Sequence, residues 1–165
     1  MCIRDRLYNQ MGNTEYREEN FEKAIDYYKK AIGVKADYPD PYLGIALSYE
    51  KQESFDEMLD YLKQTIEVSN AANDRKRAED AQRKAKGYLL RVGDEAQKAK
   101  RFEEAIEFLV RAIEFDDTDA TLLYAIAVNY NELKNWGKVI EYGKLALDKA
   151  NGLSLIHISE PTRPY

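Results

Sequence analysis

The chain is 165 residues long, with 25 Lys+Arg against 30 Asp+Glu for a net charge of −5, and it holds one cysteine and one histidine. A single cysteine excludes an internal disulfide and a cysteine-built zinc site, and a single histidine leaves little general-base or metal chemistry at neutral pH. No apolar run approaches the roughly 20 residues of a spanning helix, and the acidic balance argues against a nucleic-acid surface.

The two ends read as a pair. Met1-Cys2-Ile3-Arg4-Asp5-Arg6 is what ATG TGT ATA AGA GAC AGR encodes, and the opposite strand of those bases, CTG TCT CTT ATA CAC AT, encodes Leu153 to Ile158. The string resembles a transposon-end sequencing adapter, and Ser159 to Pro164 looks like its continuing arm. Residues 1–6 and 153–165 are therefore expected to be adapter-derived and are set aside from fold reasoning. The remainder, 7–152, is expected to be an interior piece of a longer protein. Cys2 and His157 leave with the ends, as do Arg4, Arg6, Arg163, Asp5 and Glu160, so the remainder carries a net charge of −6 rather than −5.

Apolar residues at helical spacing predict eight helices, at about 7–17, 21–34, 40–52, 55–69, 74–99, 102–115, 119–133 and 136–150. Tyr8, Met11, Gly12 and Tyr16 face one way in the first; Phe21, Ala24, Ile25, Tyr28, Ala31 and Ile32 do so in the second, after a polar break at Glu18-Glu19-Asn20. Asp40-Pro41 opens the third as a cap followed by a proline in the first turn. In the fifth, Ala78, Ala85, Val92 and Ala99 recur every seven residues, so helical phase runs unbroken from Ser69–Lys86 through Gly87, with Asn73 or Asp74 as the N-cap. Opposite charges stand four apart at Arg75–Glu79, Lys76–Asp80, Glu79–Arg83 and Asp80–Lys84, the pattern of a solvated, self-paired helix. The other uses of this stretch are a basic arm for nucleic acid, which the interleaved acids disfavour, or an alanine face for self-association.

The helices repeat. Phe102-Glu103-Glu104-Ala105-Ile106 restates Phe21-Glu22-Lys23-Ala24-Ile25, and a shift of 34 carries Tyr8 to Tyr42, Phe21 to Phe55, Leu89 to Leu123 and Phe102 to Trp136. Between the second and third units the shift is 47, so 13 residues are inserted. A helix–turn–helix with a period of 34 resembles the tetratricopeptide repeat family. That resemblance implies an all-α fold, an α-α superhelix (right-handed solenoid) of four tetratricopeptide-like helix pairs, with one long helix between pairs two and three. The repeat domain would cover 7–152, divided at about 7–38, 39–72, the insertion 73–85, 86–119 and 120–152. Small residues at Gly12, Ala46, Gly93 and Ala127 would let paired helices approach, and Phe21, Phe55, Phe102 and Trp136 would plug the turns. Met58, Thr65, Val139 and Gly143 depart from the pattern and predict looser packing in the second and fourth units.

No Gly-rich phosphate loop, calcium loop or catalytic constellation is present, so neither enzyme chemistry nor a cofactor or metal is implied. Asp116-Asp117-Thr118-Asp119 reads as a turn and cap, and Tyr8, Tyr28, Tyr42, Tyr49, Tyr61 and Tyr130 as core. The resemblance implies a scaffold whose first helices line a concave groove for a partner protein or peptide. The groove positions would be Asn9, Asn13 and Tyr16; Leu43, Leu47 and Glu50; Leu90, Asp94 and Gln97; Tyr124, Val128 and Asn131. The apolar strip of Leu43, Leu47, Leu90, Tyr124 and Val128 would either meet that partner or lie covered by neighbouring helices. Some relatives clamp a terminal carboxylate; the matching places here read Asn9, Asn13, Gly44, Gly87 and Arg91, of which only Asn13 and Arg91 fit, so no such clamp is expected. The alternative function is a regulatory repeat module of a larger enzyme or signalling protein.

Overall fold

The computed structural model describes residues 3–158. Among them are eight helices: α1 (Ile3–Arg17), α2 (Phe21–Val34), α3 (Pro39–Lys51), α4 (Phe55–Ala71), α5 (Arg75–Lys98), α6 (Phe102–Ile113), α7 (Ala120–Glu132) and α8 (Trp136–Ile158). The fold divides into two compact units between Ala85 and Lys86, inside α5.

One turn recurs and sets the register. Glu19, Glu53, Lys100 and Lys134 all adopt the left-handed conformation, with φ of 62°, 58°, 59° and 57°. In each case the next amide reaches back over the helix end, from Asn20 to the Glu15 carbonyl at 2.9 Å, Ser54 to Tyr49 at 3.0 Å, Arg101 to Ala96 at 2.9 Å and Asn135 to Tyr130 at 3.0 Å. These are Schellman ends, which satisfy carbonyls that the helix leaves orphaned. The four turns are spaced 34, 47 and 34 residues apart, the shifts of the sequence repeat. They close the pairs α1–α2, α3–α4, α5–α6 and α7–α8, and a turn this short makes each pair antiparallel.

The insertion extends α5. Asn73 takes a fifth left-handed turn at φ 58° and ends α4. Asp74 then caps α5, accepting from the Arg77 amide at 3.2 Å and pairing with the Arg77 guanidinium at 2.9 Å. Of the expected pairs along α5, Arg75–Glu79 forms at 2.9 Å. Asp80 instead meets Arg83, and Lys84 turns to Glu50 of α3 at 2.9 Å. Ala78, Ala81 and Ala85 are buried within the fold, so the alanine face is already covered.

Among the boundaries that differ from expectation, three have a local cause. Helix α3 begins at Pro39, one residue before Asp40, with Tyr38 as N-cap. Asp40 is thus no cap; its carboxylate pairs with Arg77 at 2.7 Å. Helix α1 starts at Ile3, where nothing breaks the helix and Asp5 sits in the first turn, favourable for the helix dipole. Helix α8 runs on to Ile158, because Gly152 costs only about 1 kcal/mol and no proline intervenes before Pro161. The adapter assignment at residues 1–2 and 159–165 lies outside the described residues.

In the first unit Ala24, Ile25, Tyr28 and Ile45 form a buried cluster, with Tyr16, Ile32, Tyr49 and Tyr61 packed on it. Met58 and Thr65, expected to loosen the second pair, are fully buried. The Thr65 hydroxyl donates to the Tyr61 carbonyl at 2.7 Å, so its polar atom enters the core satisfied. In the second unit Ala105, Leu109, Ala112, Leu122 and Ile126 are buried. Trp136 does not plug its turn and is 59% exposed. Phe21 is held edge-on by Tyr16 at 5.6 Å, whereas the residue that stands where Tyr16 would be in the last pair is Asn131, which offers no ring. Of the tyrosines read as core, Tyr28 and Tyr42 are buried and Tyr8, Tyr49, Tyr61 and Tyr130 are half-buried.

Candidate partner-binding groove

The first unit carries an open cleft of about 400 Å³ between α1 and α3. Two glycines create it. A Cβ on Gly12 would sit 2.5 Å from the Tyr28 ring, and one on Gly44 would also sit 2.5 Å from it. The ring therefore fills the seam between two helix backbones that come close only because neither bears a side chain there. Tyr28 is 2% exposed, and its hydroxyl donates to Asn13 Oδ1 at 2.9 Å. Burial, helped by the neighbouring Tyr16 and opposed by Arg17, pushes its pKa up to about 12.

Five of the expected groove residues, Asn9, Asn13, Tyr16, Leu43 and Leu47, line this cleft. Arg17, Tyr28, Asp40 and Gly44 complete it and were not singled out as groove residues from sequence. A signal for Arg17 existed: it lies four residues beyond Asn13, on the same helical face. Leu43 and Leu47 are half-buried, between the free and the covered reading of the apolar strip. Asn9 is only 7% exposed; its amide donates to the Tyr38 hydroxyl at 3.1 Å, and its Oδ1 is buried without a partner. It serves the wall more than the surface. Tyr38 is pushed up to about 12, by burial first and then by its hydrogen bond to Asp40. Glu50 lies outside the cleft, paired with Lys84. Gly44 also removes the middle position of a carboxylate clamp, since any side chain there would strike Tyr28.

In the second unit the expected residues do not gather around one cleft. Leu90, Gln97 and Val128 are half-buried, Asn131 is exposed, and exposed Asp94 pairs with Lys98 at 2.5 Å. Gln97 is taken up by Asn129, whose amide lies 3.5 Å from Gln97 Oε1 and 2.9 Å from the Ala125 carbonyl. Tyr124, 66% exposed, lines a different hollow of about 350 Å³ between α7 and α8, with Ala120, Gly143, Ala146 and Leu147. Lys86 binds both Asp116 (2.6 Å) and Asp119 (3.1 Å), while Asp119 caps α7 by accepting from the Thr121 amide at 2.9 Å. The hydrogen bond to Lys86 is the main cause lowering the Asp116 pKa. At Asp119 burial pushes upward, but Thr121 and Lys86 bring the carboxyl below its usual value. The acidic run is thus a turn and cap tied to α5.

Among the described residues no group of three or more His, Cys, Asp or Glu side chains could hold a metal ion, and no helix is long and apolar enough to cross a membrane. Residues 12–53 match the family described as TPR repeat, and residues 87–119 match the one described as Tetratricopeptide repeat. Residues 12–53 and 87–119 carry tetratricopeptide repeats. Repeats of this kind make up protein–protein interaction modules, and within each unit the two closing turns stand 34 residues apart, the period of the repeat. No curated protein matches in sequence. Among solved structures the chain is similar to MamA protein (16% identity, 99% of this chain and 100% of that one, TM-score 0.43). It is also similar to the N-terminal domain of stress-induced protein-1 from C. elegans (23% identity, 76% and 94%, TM-score 0.49). A third is YrrB, described as a TPR protein with an unusual peptide-binding site (19% identity, 86% and 84%, TM-score 0.38).

Proposed function

We propose that this tetratricopeptide chain is a non-catalytic scaffold that holds an extended segment of a partner protein in the cleft between α1 and α3. The observation that carries the reading is the cleft itself. It is open, walled on one side by Asn13 and Tyr16 and on the other by Leu43 and Leu47, and floored by a tyrosine held in place by its hydroxyl. Such a surface offers hydrogen bonds to a peptide backbone and an apolar strip to its side chains, the two things an extended segment needs. The charges of α5 support a protein rather than a nucleic acid, since Arg75, Arg77, Arg83 and Lys84 each face a carboxylate.

The test is capture of a binding partner by the full chain and by two variants. Leu47→Asp places a charge in the cleft wall and should weaken capture at least tenfold with helicity unchanged; Tyr124→Asp, at a residue outside that cleft, should leave it intact. Loss with Tyr124→Asp alone would move the site to α7 and α8.

A further inference from the structure

The cleft is asymmetric in what it has left to offer. Tyr28 donates to Asn13 Oδ1, which leaves the Asn13 amide protons for whatever enters the cleft. One turn further along α1 stands Arg17, which lines the cleft and has no acidic partner among the described residues. Its positive charge is felt at the Tyr28 hydroxyl. The acceptors nearby are closed off: Asp40 is held by Arg77 at 2.7 Å, Glu50 by Lys84 at 2.9 Å, and Asn9 Oδ1 is buried out of reach. Even the last carbonyls of α1 are occupied, those of Glu15 and Tyr16 accepting from Asn20 at 2.9 Å and Glu19 at 3.1 Å. What remains free at this end is the Arg17 cation, the Asn13 amide and the Tyr16 hydroxyl.

We propose that this end of the cleft receives the side-chain carboxylate of an Asp or Glu within the partner segment. That carboxylate meets Arg17 and the Asn13 amide, while a neighbouring aliphatic side chain of the segment lies on Leu43 and Leu47. The proposal rests on the groove reading above and adds the partner's chemistry to it. A side chain fits better than a chain terminus. A terminal carboxylate is held by donors converging from several walls, and the wall opposite Arg17 offers Gly44, Leu43 and Leu47, none with a donor side chain.

The experiment uses the full chain and fluorescent nonapeptide pools with both termini blocked, carrying a central Leu followed at two residues by Asp/Glu, Gln or Lys. A fourth pool has the Gln sequence and a free C-terminus. The acidic pool should bind about three- to tenfold more tightly than the Gln pool, with the Lys pool weakest. The preference should shrink in high salt. Arg17→Gln should flatten the order and Arg17→Glu should reverse it; Arg17 is exposed in the last turn of α1, so both variants should fold, which circular dichroism is to check. Equal binding of the three blocked pools, abolished by Leu47→Asp, would leave the groove standing and remove the acidic preference. So would tight binding by the free C-terminus alone. Binding of no pool, or binding untouched by Leu47→Asp, would take down the groove reading and this inference with it.

Discussion

The first and last helix pairs are built on one plan and contrast most sharply at one position. Shifts of 34, 47 and 34 carry Tyr28 to Leu62, Leu109 and Gly143. In the first unit that position is a buried ring locked by a hydroxyl, and the space above it is a cleft with polar and apolar walls. In the α7–α8 pair it has no side chain, nothing lies within 4 Å of where a Cβ would be, and an apolar hollow of about 350 Å³ remains, with Tyr124, Ile140 and Leu147 exposed. The turns of the two pairs are the same, with Glu19 at φ 62° and Lys134 at 57°. Register is therefore set by the turns, while the character of each inter-helix space is set by the one residue that fills it.

Breaking that contrast from the first side should have the largest effect. Tyr28→Ala removes a fully buried ring and should destabilise by about 3–5 kcal/mol in urea unfolding. Tyr28→Phe keeps the packing, loses the bond to Asn13, and should cost about 1 kcal/mol. Alkali reads the same packing. A phenol whose folded pKa is about 12 against an unfolded value near 10 contributes stability that is complete below pH 10 and is lost as pH rises through 12. Tyrosinate absorbance at 295 nm should show two phenols, Tyr28 and Tyr38, titrating late near 12, and Tyr28→Phe should remove one of them. Titration of every phenol near 10 would mean that the ring is not enclosed.

From the other side, Gly143→Leu copies the residue found at Leu109 into the open hollow. It should stabilise by about 1–2 kcal/mol, part from helix propensity and part from apolar area covered. No gain would show that the hollow is too wide for one side chain to close.

The eight helices, their pairing and the uninterrupted α5 were legible in the sequence because apolar periodicity and the repeat of Phe21 at Phe55 and Phe102 report packing directly. Of the nine residues that line the cleft, Asn9, Asn13, Tyr16, Leu43 and Leu47 are groove positions that the family resemblance implies. The rest depends on contacts that periodicity does not encode. Nothing local marks Gly44 as lying against Tyr28, Lys84 as leaving its own helix for Glu50, or Lys86 as joining Asp116 and Asp119. Each of those contacts joins residues 16 to 34 positions apart, and side-chain reach across two helices decides them. Trp136 departs from the pattern of Phe21, Phe55 and Phe102, which are half-buried while it is 59% exposed, and the helical period alone does not mark that difference.

The smallest effect tests the shared feature. A left-handed residue with a side chain carries a steric cost of roughly 1 kcal/mol, which glycine avoids while losing more entropy on folding. Lys100→Gly and Lys134→Gly should therefore each stabilise by a few tenths to about 1 kcal/mol, read as a small rise in urea midpoint. The gains should match, because φ is 59° at one turn and 57° at the other and each is followed by the same amide-to-carbonyl bond, at 2.9 and 3.0 Å. A gain at Lys100 with a loss at Lys134 would mean that the last turn is held by its side chain rather than its backbone. The difference between the pairs would then begin at the turn and not at Gly143.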